Sequence, residues 1–332
     1  MQMTAAGLFG AFSSPYAVAN AAPFRIMLML YRGQTEAEKG FQNYLKSRHI
    51  PVEYIIRDAN EDKQKIRQFI DEARTLRPDL IYSFGTTLTK AIVGPYDAID
   101  KSPYINDIPV VFNIVADPVG AKLVPRLSAS GRNLTGTSHL VPMPAQLKAL
   151  INFKTIRRLG AIYNPDEANS LLAIEQLKRA CLIEKIELIL SPVVKKTTGM
   201  PDKADLNNSV NQLLAQKPEM IYLPSDSFII ANARQIIEPA LLARTPAFSA
   251  TEAPIRQQGA LAGLVSRYYN VGEFAAHKAI EILVQKKAPS QIPIEVLNRF
   301  SYLINMQTAR RLGTFPPVAI FRFAEIVDKS PV

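Results

Sequence analysis

The strongest constraint on this chain is a pattern that it carries twice. From residue 24 onward, short apolar runs rich in β-forming residues alternate with stretches of helical periodicity. Strands are expected near 25–31, 52–57, 79–84 and 109–115, with helices near 36–48 and 62–76. Ala37, Phe41, Tyr44 and Leu45 share one face of the first helix, and Ile66, Phe69, Ile70 and Ala73 one face of the second. A near-continuous apolar strand such as Ile108 to Val115 suits a parallel sheet covered by helices on both faces. The run Arg25 to Tyr31 then returns as Arg158 to Tyr163 at an offset of 133, and Pro78 to Tyr82 returns as Pro218 to Tyr222 at an offset of 140. Ile108 to Phe112 is echoed by Thr245 to Phe248. Three strand echoes in the same order predict two similarly folded α/β lobes. A length of 332 residues, near the practical ceiling for one core, points the same way.

Charge and cysteine content narrow the function classes. The net charge of +10 is spread among acids, as in Glu61 to Arg67, and the longest basic runs are pairs such as Lys195-Lys196 and Lys286-Lys287. A generally basic solvated surface follows, with no nucleic-acid partner expected. A repressor-type regulator would need a DNA-binding helix pair before the first strand, where only uncharged residues stand. The single cysteine, Cys181, lies in a helical pattern and is expected to be a small buried apolar residue. His49, His139 and His277 lie in unrelated contexts, so no metal site is expected. No dinucleotide, P-loop or nucleophile-elbow motif occurs, so neither a cofactor nor enzymatic activity is expected. An enzyme working in a cleft between the lobes, with Glu167 or Asp226 as acid or base, is the remaining alternative of that kind.

The first residues differ from the rest. Met1 to Pro23 has no charged residue, an apolar stretch from Ala5 to Phe12, and Ala19-Asn20-Ala21 before Ala22. Residues 1–21 therefore read as a secretory signal peptide cut near Ala21, although no Lys or Arg precedes the apolar stretch. No cysteine near that point could carry a lipid, and no later apolar run reaches the ~18 residues of a membrane span. A soluble periplasmic protein is expected.

In open parallel sheets small ligands bind beyond the carboxyl ends of the strands, where helix N-termini offer unpaired N–H groups. The polar clusters of both lobes fall there. The first lobe has Arg32 and Thr35, then Gly85-Thr86-Thr87, then Asn113 and Asp117. The second has Asn164 to Ser170, Ser225-Asp226-Ser227 and Ser249 to Glu252. Hydroxyl-rich turns at helix starts are also ordinary N-caps, so each cluster has two readings.

Four segments then carry a resemblance to a known family: Ile108 to Ala121, Gly131 to Ser138, Leu159 to Ser170 and Gly259 to Ala262. The chain resembles the ABC-transporter substrate-binding proteins that include tryptophan and tyrosine binders, from about residue 24 to Pro316-Pro317. The resemblance implies a type I periplasmic binding protein, with two Rossmann-like lobes joined by a three-strand hinge around a ligand cleft. It implies crossings near Ser138 to Pro142, near Arg267 to Tyr269, and near Ser290 to Pro293. The expected lobes are 24–138 plus 268–290 and 139–267 plus 291–332. The implied function is binding a small ligand, an amino acid (aromatic ones included) or another small carboxylate, and delivering it as a monomer to a membrane ABC permease. Reporting ligand to a membrane sensor is the alternative.

The resemblance carries ligand-binding roles to Gly85, Thr86, Thr87, Asp117 and Ser138, and to Asn164, Glu167, Asn169, Ser170 and Asp226. Thr86, Thr87 and Ser170 can hold a carboxylate, and Asp117, Glu167 or Asp226 an ammonium group. Two departures bear on the ligand. The turn after the first strand is Tyr31-Arg32-Gly33-Gln34-Thr35, where aromatic binders tend to be His-Pro-rich, and Ser249-Ala-Thr251-Glu252 stands where they tend to show Ser-Asp-Glu. Arg32 can form a bidentate pair with a carboxylate or a surface pair with Glu36. Tyr31, Tyr163 or Tyr268 can stack on a ligand or simply pack.

Overall fold

A computed structural model describes residues 22–195, 201–297 and 299–328; the proposed leader lies outside them. The first lobe begins β1 (Phe24–Leu30), α1 (Glu36–Ser47), β2 (Val52–Asp58), α2 (Lys63–Leu76), β3 (Leu80–Phe84), α3 (Thr86–Val93), β4 (Val110–Val115) and β5 (Leu134–Ser138). The second runs α4 (Met143–Phe153), β6 (Arg158–Tyr163), α5 (Ala168–Glu184), β7 (Glu187–Pro192), α6 (Lys203–Ala215), β8 (Met220–Leu223), α7 (Ser227–Ala231), α8 (Ala233–Leu242), β9 (Ala247–Ser249), α9 (Glu252–Gln257) and β10 (Ala262–Val265). The chain then returns through α10 (Tyr268–Leu283) and β11 (Glu295–Val296), and ends with β12 (Ser301–Asn305), α11 (Met306–Leu312), α12 (Val318–Phe321) and β13 (Ala324–Val327). The expected strands and the two expected helices are all present. Alternation of apolar runs with 3.6-residue periodicity leaves little choice where both sheet faces are covered.

The repeat becomes two sheets of the same order. The first is β11-β5-β4-β3-β1-β2, parallel throughout, and the second is β13-β12-β10-β9-β8-β6-β7. Within each, the order 2-1-3-4-5 reverses direction between the first and third strands of the lobe, the place where such sheets bind ligands. In the second sheet the β10–β12 pair alone is antiparallel, because the chain re-enters from the other lobe. The first lobe has one core, built around Met27, Tyr82 and Phe112; the second lobe has two, one around Ala161, Tyr222 and Phe248 and another around Ile221, Ile237 and Leu303. Cys181 lies in the second core on α5, and burial pushes its thiol up to about 11.

The lobes exchange chain three times. The first crossing follows Ser138 and the second precedes Tyr268. The third differs from the expectation that 291–332 belongs to the second lobe. Glu295 and Val296 pair with Thr137 and Ser138 of β5, and Ile292 and Ile294 lie in the first core, so the chain leaves that lobe only after Val296. The physical reason is Lys278. This fully buried lysine on α10 donates to the Pro293 carbonyl at 2.6 Å and pairs with Glu295 at 2.7 Å, tying the segment to the first lobe.

α10 completes the first lobe by lying against α1 with backbone touching backbone. A Cβ on Gly272 would stand 1.9 Å from the Ala37 carbonyl oxygen, and one on Gly40 would stand 2.0 Å from that of Tyr269. Only hydrogen fits at either place. Gly272→Ala is therefore expected to destabilise by roughly 1–3 kcal/mol, as overpacking does. Thermal unfolding should show a clearly lowered midpoint, and an unchanged midpoint would contradict the close contact.

Candidate ligand-binding cleft

The reversal points of the two sheets face each other. On the first lobe, β1 runs into Arg32 and β3 into Gly85 and Thr86; on the second, β6 and β8 deliver Asn169 and Ser225 to Ser227. Tyr268, at the second crossing, closes one side of the cleft. The innermost space is narrowed to about 20 Å³ and opens into an outer chamber of about 330 Å³ that shares Arg32, Ile230 and Tyr268 with it. A larger groove of about 660 Å³ lies instead beside His49 to Val52, at the amino ends of β1 and β2, away from both reversal points.

Arg32 points inward. Its guanidinium lies over the Phe84 ring at 5.6 Å, and its Nε is buried without a hydrogen-bond partner among the described residues. The alternative surface pair is not formed, since Glu36 is taken by Lys39. A chain of buried hydrogen bonds holds the turn carrying Arg32. Thr137 donates to Asn113, Asn113 donates to Tyr82, and Tyr82 donates to Glu38 at 2.6 Å. Glu38 in turn accepts from the backbone and hydroxyl of Thr35. Thr35 is thus the N-cap of α1, its hydroxyl also accepting from the Ala37 N–H, so the capping reading applies there. Burial raises the Glu38 carboxyl above its ordinary value, while the hydrogen bonds from Tyr82 and Thr35 oppose this.

Sequence reading missed Ile114. It has φ +56°, in the left-handed region that a β-branched residue rarely enters, at a register shift between β4 and β5. Asn113 holds the bulge by accepting from the Ile114 N–H, and the strained residue lines the inner space. Positive φ for isoleucine has no sequence signal.

The other expected residues divide into two groups. Gly85, Thr86, Asn169 and Tyr268 line the inner space. Gly85 has φ +82° at the entrance to α3, and the Thr86 hydroxyl accepts from the Ala116 N–H. Thr87, one residue further along α3, is half-buried and does not line it. Asp117 accepts from Gly120 in its own turn, and Ser138 donates to the Ala116 carbonyl. Asp226 is wholly buried and accepts from Asn164 N–H at 2.7 Å, Ser170 hydroxyl at 2.6 Å and Ile229 N–H at 2.9 Å. Burial and neighbouring Glu167 push its carboxyl well above its ordinary range. Glu167 accepts from the Ser227 and Phe228 N–H groups. Asn164, Glu167, Ser170 and Asp226 thus bind one another's turns. Glu252 accepts from the Tyr268 N–H at 2.8 Å and pairs with Arg256, while Glu325 bridges Arg256 and Arg267. Glu252 therefore anchors Tyr268, and Thr251 precedes it with its hydroxyl buried and unpartnered. Of the tyrosines weighed for stacking, Tyr31 packs in the first core and Tyr163 beside the second.

The polar atoms without partners gather here. Arg32 Nε, Asn169 Oδ1 and Tyr268 Oη on the inner space, and Gln258 Oε1 on the outer chamber, are buried and without a hydrogen-bond partner among the described residues. Folded proteins seldom leave such groups unsatisfied, which makes this cleft, lined from both lobes, the candidate ligand site.

Across residues 29–327 the chain matches the model of the family described as ABC transporter substrate binding protein. The chain belongs to that family. It is 27% identical to a tyrosine-binding protein of Clostridioides difficile over 287 residues, covering 83% of this chain and 76% of the relative. Its fold matches a conserved domain protein from Vibrio cholerae with a TM-score of 0.82 at 25% identity, over 92% of this chain and all of that one. It also matches the ABC domain from Streptococcus pneumoniae solved in complex with L-Trp, with a TM-score of 0.78 at 20% identity, over 91% and 100% of the two chains. The substrate-binding family member thus has the type I periplasmic binding protein fold.

His139 lies at the first crossing of this substrate-binding fold, 3.1 Å from the Ser225 hydroxyl and edge-on to Tyr268. Burial pushes it down to about 3, so it is neutral at pH 7. Below its unfolded pKa of about 6.5 the unfolded chain takes up a proton that the folded one refuses, so this group's contribution falls as pH drops from about 6.5 toward 3. His139→Gln should unfold with a shallower loss of stability than the parent over that window. Parallel denaturation curves at stepped pH check this, and equal slopes would refute it.

Proposed function

We propose that this family member is the substrate-binding component of an ABC importer, working in the periplasm after removal of residues 1–21 and handing its ligand as a monomer to a membrane permease. It is a binder and not an enzyme. The ligand is an amino acid or a closely related small carboxylate, held between the lobes. The single observation that carries this reading is the set of buried, unpartnered polar atoms contributed by both lobes around Arg32. A ligand that satisfies them favours the arrangement in which both lobes reach it, and so shifts an open–closed equilibrium by its difference in affinity for the two states.

Within that cleft, Arg32 supplies the cationic group for a carboxylate, with Gly85 and Thr86 at the start of α3 beside it. Asn169 Oδ1 is a free acceptor on the facing lobe, and the Tyr268 hydroxyl serves as donor or acceptor. Burial pushes Tyr268 up to about 12, so it keeps its proton at neutral pH. The relative that binds tyrosine and the neighbour solved with L-Trp support an amino acid as the ligand class.

Residues 22–332 titrated with amino acids and their simple carboxylate analogues should show an upward thermal shift with members of the panel. Saturation at 100 times Kd adds about 2.7 kcal/mol, well above detection. Arg32→Ala should weaken the ligand by roughly 10- to 100-fold, the value of a charge-assisted hydrogen bond, while leaving the ligand-free melting point near the parent's. Failure of every amino acid and carboxylate to shift the parent would overturn the reading.

A further inference from the structure

The outer chamber contains a carboxylate that neither the sequence motifs nor the family resemblance marks: Glu61, in the turn between β2 and α2. Its backbone is unusual. Asn60 and Glu61 have φ +50° and +63°, two successive left-handed residues that are not glycine. Glutamate gains nothing from that conformation and glycine would adopt it freely. The turn does not use the Glu61 side chain to hold itself together. Its hydrogen bonds come from the backbone, with Glu61 N–H on the Tyr31 carbonyl and Asp62 N–H on that of Ala59, and from Asp58 and Asp62 capping Asn60 and Gln64. The two positive φ values close the Ala59–Asp62 turn through its backbone bond, while the Glu61 side chain takes no part in it and is left to face the chamber.

It faces a chamber whose other charges are already matched. Glu36 is paired with Lys39, and Glu252 with Arg256. Among the described residues the Glu61 carboxylate has no hydrogen bond or ion pair, and Arg32 has no carboxylate partner. Their charges interact, since Arg32 lowers the Glu61 carboxyl against the larger upward push of burial. Across the chamber, on the second lobe, Gln258 Oε1 is a buried acceptor that also lacks a partner. A guanidinium without a carboxylate partner, an unpaired carboxylate and an unpaired acceptor thus line one space of about 330 Å³.

We infer that Glu61 is the residue that recognises a cationic nitrogen of the ligand, with Arg32 taking its carboxylate, so that the site selects amino acids over carboxylates that lack an ammonium group. The inference rests on the proposed binding role of the cleft and sharpens it. The ammonium comes to Glu61 because Asp226 and Glu167 of the second lobe are occupied with backbone N–H groups. Gln258 accepts a further N–H from the opposite side of the chamber.

The test pairs each amino acid with the acid lacking its α-amino group: L-tyrosine with 3-(4-hydroxyphenyl)propionate, and L-lysine with 6-aminohexanoate. Calorimetric Kd values are measured on the parent, Glu61→Gln and Glu61→Gly. The parent should bind the amino acid at least ten times more tightly than its des-amino partner, and Glu61→Gln should abolish most of that ratio by weakening the amino acid alone. If 6-aminohexanoate keeps the full dependence on Glu61, the side-chain ammonium is the group recognised. Glu61→Gly should melt at or above the parent temperature, since the backbone strain is relieved, and should lose the same discrimination. That result separates recognition from a folding role. Equal affinity for both members of every pair, or discrimination that survives both substitutions, would overturn the assignment of Glu61 while leaving the binding function standing. Absence of any binding by the parent would instead remove the function on which the inference rests.

Discussion

The cleft depends on one contact between backbones. α10 reaches the first lobe only after the chain has built nearly all of the second, and it docks because Gly272 and Gly40 let it lie directly on α1. From that contact follow the cover over β4 and β5, the Lys278 tether on β11, and the placement of Tyr268 at the edge of the cleft. A methyl group at either glycine would push α10 outward, and each of these features would move with it. The lobe is discontinuous in sequence yet has a single core, and the close helix pair is what makes that possible.

Rigidity around the site is built from polar groups paired with one another, and recognition from those left unpaired. The Thr137–Asn113–Tyr82–Glu38–Thr35 chain spans three strands and the start of α1, so the Arg32 turn is tied to the sheet through hydrogen bonds that are buried up to Glu38. On the second lobe the Asp226 and Glu167 carboxylates bind the β6–α5 turn to the start of α7. Against these satisfied networks stand Arg32 Nε, Asn169 Oδ1 and the Tyr268 hydroxyl. Backbone strain at Ile114 and Glu61 lies in the same region, where the surrounding structure holds it.

The two-lobed plan was legible because apolar periodicity and a repeated strand order are local signals that survive folding. The ends of strands could be located, and with them Arg32, Gly85, Thr86, Asn169 and Tyr268, which line the cleft. Roles within those clusters were less legible. Thr35, Asp226 and Glu167 have the residue types of a ligand site and the same types serve as caps. Which of the two applies depends on which N–H groups a turn presents, and that is set by neighbours distant in sequence. The third crossing was placed too early because the tie that holds it, Lys278 to Glu295, gives no local pattern.

The sequence by itself determined the α/β class, the doubling of the lobe, the family and the ends of the strands where polar residues gather. Each of these follows from side-chain periodicity or from short motifs, which a chain carries whatever its tertiary neighbours. Only the tertiary structure decided which polar atoms remain unpaired, where the chain last changes lobe, and that Glu61 lies unpaired in the same chamber as Arg32. Those facts depend on the approach of segments far apart in the chain, where burial turns an ordinary carboxylate into either a cap or a recognition group.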